Sequence, residues 1–378
     1  MPNRVPREPD PVIKLLIVDD SPLMRRLMGA AFQSEPDIEV AFARDGVDAL
    51  ERLHDFKPDV ITLDVNMPNM DGLACLDRIM VERPCPIVMV SSLTEAGADV
   101  TLQAIAAGAV DFMAKPAGAV SLSMDAFAPV LIEKVRAAAK ARLPGAHRLR
   151  ERVRLRANGA AAESGVRAIA RAPRGWTPQP PPDDPSSPAG RLVLVGASTG
   201  GPPALDALLS PLPQSFPHPI VVAQHMPASF TGSLARRLDK LCALTVVEVT
   251  RPVALNGGAV YIGRGDADII VSTRGGNPIV LPAPSAPEFR WHPSVDRLVS
   301  TAIETFGAER LIGVLMTGMG NDGAAAMTRL SAEGGQTIAE SEETAIIWGM
   351  PGALVKAGGA DIIAPLDAIA DRLLQWAQ

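Results

Sequence analysis

KLLIVDDS, residues 14–21, decides how the first half of the chain is read. Leu15 to Val18 form an unbroken apolar run, stopped by Asp19 and Asp20. A run that is apolar on both faces belongs to a parallel sheet covered by helices. Similar runs recur as EVAFA at 39–43, VITLD at 60–64, PIVMV at 86–90 and DFMAK at 111–115. Between them, residues 22–35, 46–56, 72–83 and 101–108 carry apolar side chains at helical spacing, and a further helix is expected over Met124–Arg142. This alternation predicts a flavodoxin-like, doubly wound α/β domain.

Strand–helix alternation resumes at Arg191. RLVLVGAS (191–198), PIVVAQH (219–225), LTVVEV (244–249), VYIG (260–263), DIIVS (268–272), LIGVLMTG (311–318), QTIAES (336–341) and ADIIAP (360–365) read as strands. Helices are expected to start near Pro202, Phe230, Pro293, Gly323, Pro351 and Leu366. RGGNP at 274–278 is a turn signal and places hairpin material around 245–282. The second domain is therefore expected to be a Rossmann-like, doubly wound parallel sheet. Between the two, RLRERVRLR (148–156) is strongly basic and TPQPPPDDPSSPAG (177–190) lacks the apolar content for a core. The expected division is a first domain over 13–142, a flexible basic and Pro-rich linker over 143–190, and a second domain over 191–376.

Composition narrows the function classes. The 378 residues are 47% hydrophobic, enough for two cores. A net charge of −6 and the lack of a helix-turn-helix pattern in the second half argue against nucleic acid as the partner. No apolar stretch reaches the roughly 20 residues a membrane helix needs, so no direct membrane insertion is expected. The N-terminus has no apolar signal core, and Cys75, Cys85 and Cys242 have no paired spacing, which predicts reduced thiols in a cytoplasm.

Ligands of an open parallel sheet bind at the carboxyl edge of the strands. Asp19, Asp20, Asp64, Ser91 and Lys115 all fall there in the first domain. Three carboxylates plus a backbone carbonyl make an oxygen-only site suited to Mg²⁺. In such a site Asp64 is the expected phosphoryl-accepting nucleophile, with Lys115 and the Ser91 hydroxyl bonding phosphoryl oxygens. VDDS (18–21), DVNMPNMDG (64–72), VMVSS (88–92) and KP (115–116) together resemble the receiver domain of two-component response regulators. The resemblance implies Asp64 as phosphoacceptor, with Asp20, Asp64 and the Asn66 carbonyl as Mg²⁺ ligands and Asp19 close by. It also implies Ser91 and Phe112 as a switch pair alongside Lys115, a cis Lys115–Pro116 bond, and a histidine kinase as phosphodonor.

GASTG at 196–200 fits the G-x-S-x-G pattern, in which a strand, a tight turn and a helix start expose a serine hydroxyl. A phosphate-binding glycine loop or a plain tight turn has the same local pattern. A serine nucleophile needs a base, and the chain has five histidines. His54 and His147 lie in the first domain and the linker, His218 precedes its strand, and His292 precedes a helix. His225 ends a strand, at the same edge as Ser198. Asp322, in MTGMGNDGA just after a strand, is the favoured third member; Asp266 and Asp268 look like turn residues. The oxyanion donors are expected among the backbone amides around Met319 or Thr199.

GASTGGP (196–202), QHMPASFTGSLARRL (224–238), HPSVD (292–296), VLMTGMGNDGA (314–324) and GMPGA (349–353) jointly resemble the catalytic domain of the chemotaxis protein-glutamate methylesterases. That resemblance implies hydrolysis of γ-glutamyl methyl esters on the cytoplasmic helices of methylated chemoreceptors, with release of methanol. It also implies deamidation of particular receptor glutamines, a chemotaxis histidine kinase upstream, and no metal for the esterase. With a receiver in front, inhibition until Asp64 is phosphorylated is expected. Members often carry Pro-Gly and a histidine where this chain has Arg264-Gly265 and Asp268. That departure is expected to alter a substrate-side loop without touching the triad. Two rival readings are an esterase for small soluble esters, with the same triad, and a binding module whose Ser198 loop holds an anion.

Overall fold

The fold is that of a computed structural model, which describes residues 12–91, 95–116, 120–143 and 191–377. The expected linker, from residue 144 to 190, and the N-terminal tail lie outside the described residues.

The first sheet has five parallel strands: β1 (Ile13–Val18), β2 (Ile38–Ala43), β3 (Val60–Asp64), β4 (Ile87–Ser91) and β5 (Asp111–Ala114). Their order is β2-β1-β3-β4-β5, so the chain reverses direction across the sheet between β1 and β3. That switch point opens a crevice at the carboxyl ends of β1 and β3. β3 and β4 are buried along their whole length, which explains their continuous apolar character. The helices are α1 (Pro22–Ala31), α2 (Gly46–Asp55), α3 (Gly72–Glu82), α4 (Glu95–Ala107) and α5 (Val120–Ala139). Ser21, Asp45 and Asp71 cap the first three, each accepting backbone amides that the helix leaves unpaired. α5 begins four residues before the expected Met124.

The second sheet has seven parallel strands in the order β15-β14-β13-β6-β7-β10-β8. They are β6 (Leu192–Ala197), β7 (Ile220–Gln224), β8 (Thr245–Val249), β10 (Ala259–Gly263), β13 (Leu311–Leu315), β14 (Gln336–Glu340) and β15 (Ile362–Ala364). β6, first in sequence, is central. The chain builds outward on one side through β7, then returns on the other through β13. The switch point therefore lies where β6 meets β7 and β13. The remaining strands, β9 (Val253–Ala254), β11 (Asp268–Arg274) and β12 (Asn277–Ala283), form a separate antiparallel sheet, with the expected hairpin turning at Gly275–Gly276. Helices α6 (Gly201–Leu209), α7 (Ala228–Leu241), α8 (Val295–Phe306), α9 (Ala324–Ala332), α10 (Met350–Lys356) and α11 (Leu366–Trp376) complete the unit. The core is aliphatic: Leu192, Leu194, Val221, Leu298, Leu311 and Leu330 are fully buried.

Two expectations need correction. Lys115–Pro116 is not cis; among the described residues the cis bond is His292–Pro293. An X-Pro bond favours trans by only about 0.5–1 kcal/mol, so the dipeptide alone fixes neither isomer. Asp268 is not a turn residue but opens β11, fully buried.

Gly72 shows how local sequence positions the first crevice. A Cβ there would lie 2.1 Å from the Asp64 carbonyl oxygen, and the Gly72 amide bonds the Val65 carbonyl at 2.9 Å. Only glycine lets the start of α3 press against the end of β3. Gly72→Ala is expected to destabilise the first unit by about 1–3 kcal/mol through overpacking. Urea unfolding of the full chain by circular dichroism checks this; an unshifted first transition would contradict the close approach.

Candidate active site

In the first unit Asp19 is buried at the end of β1, Asp20 is exposed beside it, and Asp64 is buried at the end of β3. One carboxylate oxygen of each lies within 4.8 Å of the others. Lys115 Nζ reaches 2.8 Å from both Asp19 Oδ2 and Asp64 Oδ2. Burial pushes the Asp64 carboxyl above its ordinary value, and the Lys115 ammonium only partly offsets this. Burial also works against the Lys115 charge, but the two carboxylates outweigh it and raise its pKa. Asp19 Oδ2 is buried, with the Lys115 ammonium as its partner. Three carboxylates crowded around one ammonium leave surplus negative charge on oxygen donors, which fits a hard divalent cation. Ser91 is fully buried at the end of β4 and Phe112 is buried in β5, while Asn66 is exposed just past β3.

In the second unit the sheet itself brings the candidate residues to one edge. His225 N donates to Ala197 O at 3.0 Å, and Ser198 N donates to Thr317 O at 3.0 Å. Ser198 thus sits between His225 and Thr317 on three adjacent strand ends. Asp322 reaches the same edge from the loop after β13. Its Oδ2 lies 2.7 Å from His225 Nε2. Neither Ser198 Oγ nor His225 Nδ1 has a hydrogen-bond partner among the described residues, and Nδ1 is buried. The imidazole therefore presents Nδ1 as its uncommitted nitrogen. This reverses the common arrangement, in which Nδ1 faces the acid.

Asp322 is 4% exposed and is held by the start of α8. It accepts from Ser294 Oγ at 3.1 Å, Val295 N at 2.7 Å and Asp296 N at 3.1 Å. Burial pushes its carboxyl up, but His225 and the two amides outweigh burial and hold it below the usual carboxylate range. The neighbouring Asp296 goes the other way: burial raises it, opposed by the Ala326 amide and reinforced by the Asp322 charge.

Of the two oxyanion candidates, the Met319 amide has no acceptor among the described residues. The nearby amides of Ser198 and Gly318 are spent on Thr317 O and Ile347 O.

Sequence reasoning missed four supporting residues. Ser294 caps α8 and holds Asp322; a serine just before an apolar helical stretch is a readable cap signal. Gln224 is fully buried, and its Nε2 donates to the carbonyls of Ser198 (2.9 Å) and His225 (3.1 Å). Glu340, at the end of β14, accepts Thr317 N at 2.7 Å, on the same residue whose carbonyl accepts Ser198 N. Trp291 stacks on His225. None of these three carries a pattern that local sequence reveals. Asp268 also gains a role: it accepts from His292 Nδ1 at 2.8 Å, Ser294 N at 2.8 Å and Arg297 at 2.6 Å. Asp268 thus lies one residue contact, through Ser294, from Asp322.

Comparison with known proteins agrees with this architecture. The CheB methylesterase family model matches residues 193–373, and the response regulator receiver domain model matches 15–125. A protein-glutamate methylesterase/protein-glutamine glutaminase of Rhodopseudomonas palustris is 52% identical over 365 residues, covering 97% of this chain and 98% of the relative. The chain belongs to this family. A relative of the same description from Rhodospirillum rubrum is 48% identical, covering 96% of each chain, and one from Vibrio cholerae is 43% identical, covering 91% of each.

Within this methylesterase fold Glu340 gives a pH signature. Burial pushes its carboxyl from 4.5 up to about 7, against the Thr317 and Thr344 donors. Between those values the folded state binds more protons than the unfolded state, so stability falls as pH rises through that window. Glu340→Gln does not ionise. The variant is expected to match wild type near pH 5 and to exceed it by about 1–3 kcal/mol at pH 8. Tryptophan fluorescence during urea unfolding reads this, because Trp291, Trp348 and Trp376 all lie in the second unit. A stability difference that stays constant with pH would show that Glu340 titrates normally.

Proposed function

We propose that this chain is a phosphorylation-regulated serine esterase that hydrolyses glutamate γ-methyl esters on chemoreceptor helices and deamidates receptor glutamines. The observation that carries this reading is the His225 Nε2–Asp322 bond of 2.7 Å, which leaves Nδ1 unpaired at the strand end next to Ser198. Ser198 Oγ attacks the ester carbonyl, and His225 Nδ1 takes its proton. Asp322 stabilises the imidazolium. The Met319 amide, with Thr199 as the second candidate, donates to the oxyanion, a bond worth about 3 kcal/mol in the transition state. The imidazolium returns the proton to the leaving methoxide, giving methanol and an acyl-enzyme. Water, deprotonated by Nδ1, then releases glutamate and restores Ser198. An amide follows the same path with ammonia as leaving group. This half uses no metal.

In the receiver half, Asp64 is the phosphoacceptor. Asp20, Asp64 and the Asn66 carbonyl would hold Mg²⁺, with Asp19 beside them, and the ion would supply positive charge against the incoming phosphoryl group. Lys115 pairs with the phosphoryl oxygens, and Ser91 and Phe112 carry the change away from the site. A chemotaxis histidine kinase is the phosphodonor. The unphosphorylated receiver restrains the esterase, and phosphorylation shifts a two-state equilibrium toward activity. Among the described residues no helix is long and apolar enough to cross a membrane. In this reading the enzyme works from the cytoplasm on the cytoplasmic part of a receptor.

The test is methanol release from methylated receptor membranes, with and without a small phosphodonor. Ser198→Ala is expected to lose at least about 10³-fold in rate. Asp64→Asn is expected to stop responding to the phosphodonor. Turnover of soluble esters without methanol release from receptors would favour the small-ester reading, and full activity of Ser198→Ala would remove the serine mechanism.

A further inference from the structure

The bond to Asp322 holds one atom of the His225 ring, Nε2. One hydrogen bond at the far end of the ring fixes its plane less firmly than bonds at both nitrogens would. Nδ1, the nitrogen that faces the reaction, has no hydrogen bond. A general base works only when its lone pair points at the proton it removes. Some other contact must set the plane.

Trp291 supplies it. Its ring lies parallel to the imidazole, with an interplanar angle of 4° and centroids 5.9 Å apart, an offset stack. The indole is itself seated on Gly320: a Cβ at that position would fall 2.8 Å from Cζ2 and 2.9 Å from Cη2 of Trp291. Gly320 has φ +84°, which disfavours a side chain as well. Gly320 adjoins Met319 and lies two residues before Asp322. On the indole the Arg290 guanidinium stacks 4.9 Å from the ring centroid. The same short segment, WHPSV at 291–295, therefore touches both halves of the dyad. Trp291 stacks on the base, while Ser294 and Val295 bond the acid.

We propose that Trp291 is a positioning residue for His225, fixing the imidazole plane so that Nδ1 faces Ser198 Oγ, and offering its π face to the imidazolium formed during acylation. The inference rests on the triad reading above. It adds a reason for Gly320: the glycine makes room for an indole, so the loop carrying Met319 and Asp322 is held at a fixed distance from the base.

The test uses full-length protein with phosphodonor and a peptide carrying a glutamate γ-methyl ester. Trp291→Leu keeps apolar bulk without a π face, and Trp291→Phe keeps an aromatic plane. Trp291→Leu is expected to lower kcat about 10–100-fold with KM changed less than about 3-fold, up to the roughly 100-fold that a misplacement of about 1 Å can cost. Trp291→Phe is expected to recover most of kcat. Equal activity of the Leu and Phe variants would overturn the inference, because volume alone would then suffice. So would a raised KM at unchanged kcat, which would make Trp291 a substrate contact. Ser198→Ala run in parallel separates the two levels. If it stays active, the triad reading fails; if it is dead while Trp291→Leu matches wild type, only the role of Trp291 fails.

Discussion

A carboxylate cut off from water must find its hydrogen bonds inside the protein. Leaving one buried without partners costs several kcal/mol. Asp322 meets this constraint by sitting at the start of α8, where amides left unpaired by the helix point outward and the helix dipole favours negative charge. Ser294, Val295 and Asp296 supply three donors and His225 the fourth. The helix start and the carboxylate satisfy one another. Removing either leaves the other buried and unpaired. The second unit is organised around this contact: α8 must lie across the end of β6, and the loop after β13 must carry the acid to it.

Much of this was legible in the sequence, and the reasons are physical. Parallel strands buried on both faces leave continuous apolar runs, so KLLIV, VITLD, LVLVG and LIGVL announced themselves. Residues directly after such runs must reach the carboxyl edge, which is why Asp64, Ser198 and His225 could be placed from strand ends alone. What escaped depends on contacts between distant segments. Glu340 reads as the last residue of an ordinary strand, and its pairing with Thr317 exists only once β13 and β14 are neighbours. Asp268 reads as a turn residue in GDAD because composition there is turn-like. Its burial is tolerable because Ala286, His292, Ser294 and Arg297 converge on it from 18 or more residues away.

The two sites use the same sheet geometry for opposite electrostatics. At the ends of β1 and β3, carboxylates crowd together with one lysine between them, and the surplus negative charge calls for a cation. Beside the ends of β6, β7 and β13 the Asp322 carboxylate is surrounded by donors, and the atom left without a partner is His225 Nδ1. The first arrangement suits a cation. The second leaves an imidazole nitrogen without a partner at the strand end next to Ser198. Parallel sheets allow both because their carboxyl edges gather residues from strands far apart in sequence, while the apolar interior below needs no change.

The orientation of His225 follows from those distances. In an imidazole, Nδ1 lies close to the backbone and Nε2 lies at the far end of the ring. Ser198 is on the neighbouring strand end, one inter-strand spacing of about 4.8 Å from the His225 backbone. Asp322 is farther off, held at the start of α8. The near nitrogen is therefore suited to the serine and the far nitrogen to the acid. A triad in which Nδ1 faced the carboxylate would require the acid close to the histidine backbone and the serine beyond the ring. Adjacent parallel strands reverse that requirement. The ring orientation thus follows from placing Ser198 and His225 on neighbouring strand ends and Asp322 in a loop held by the start of α8.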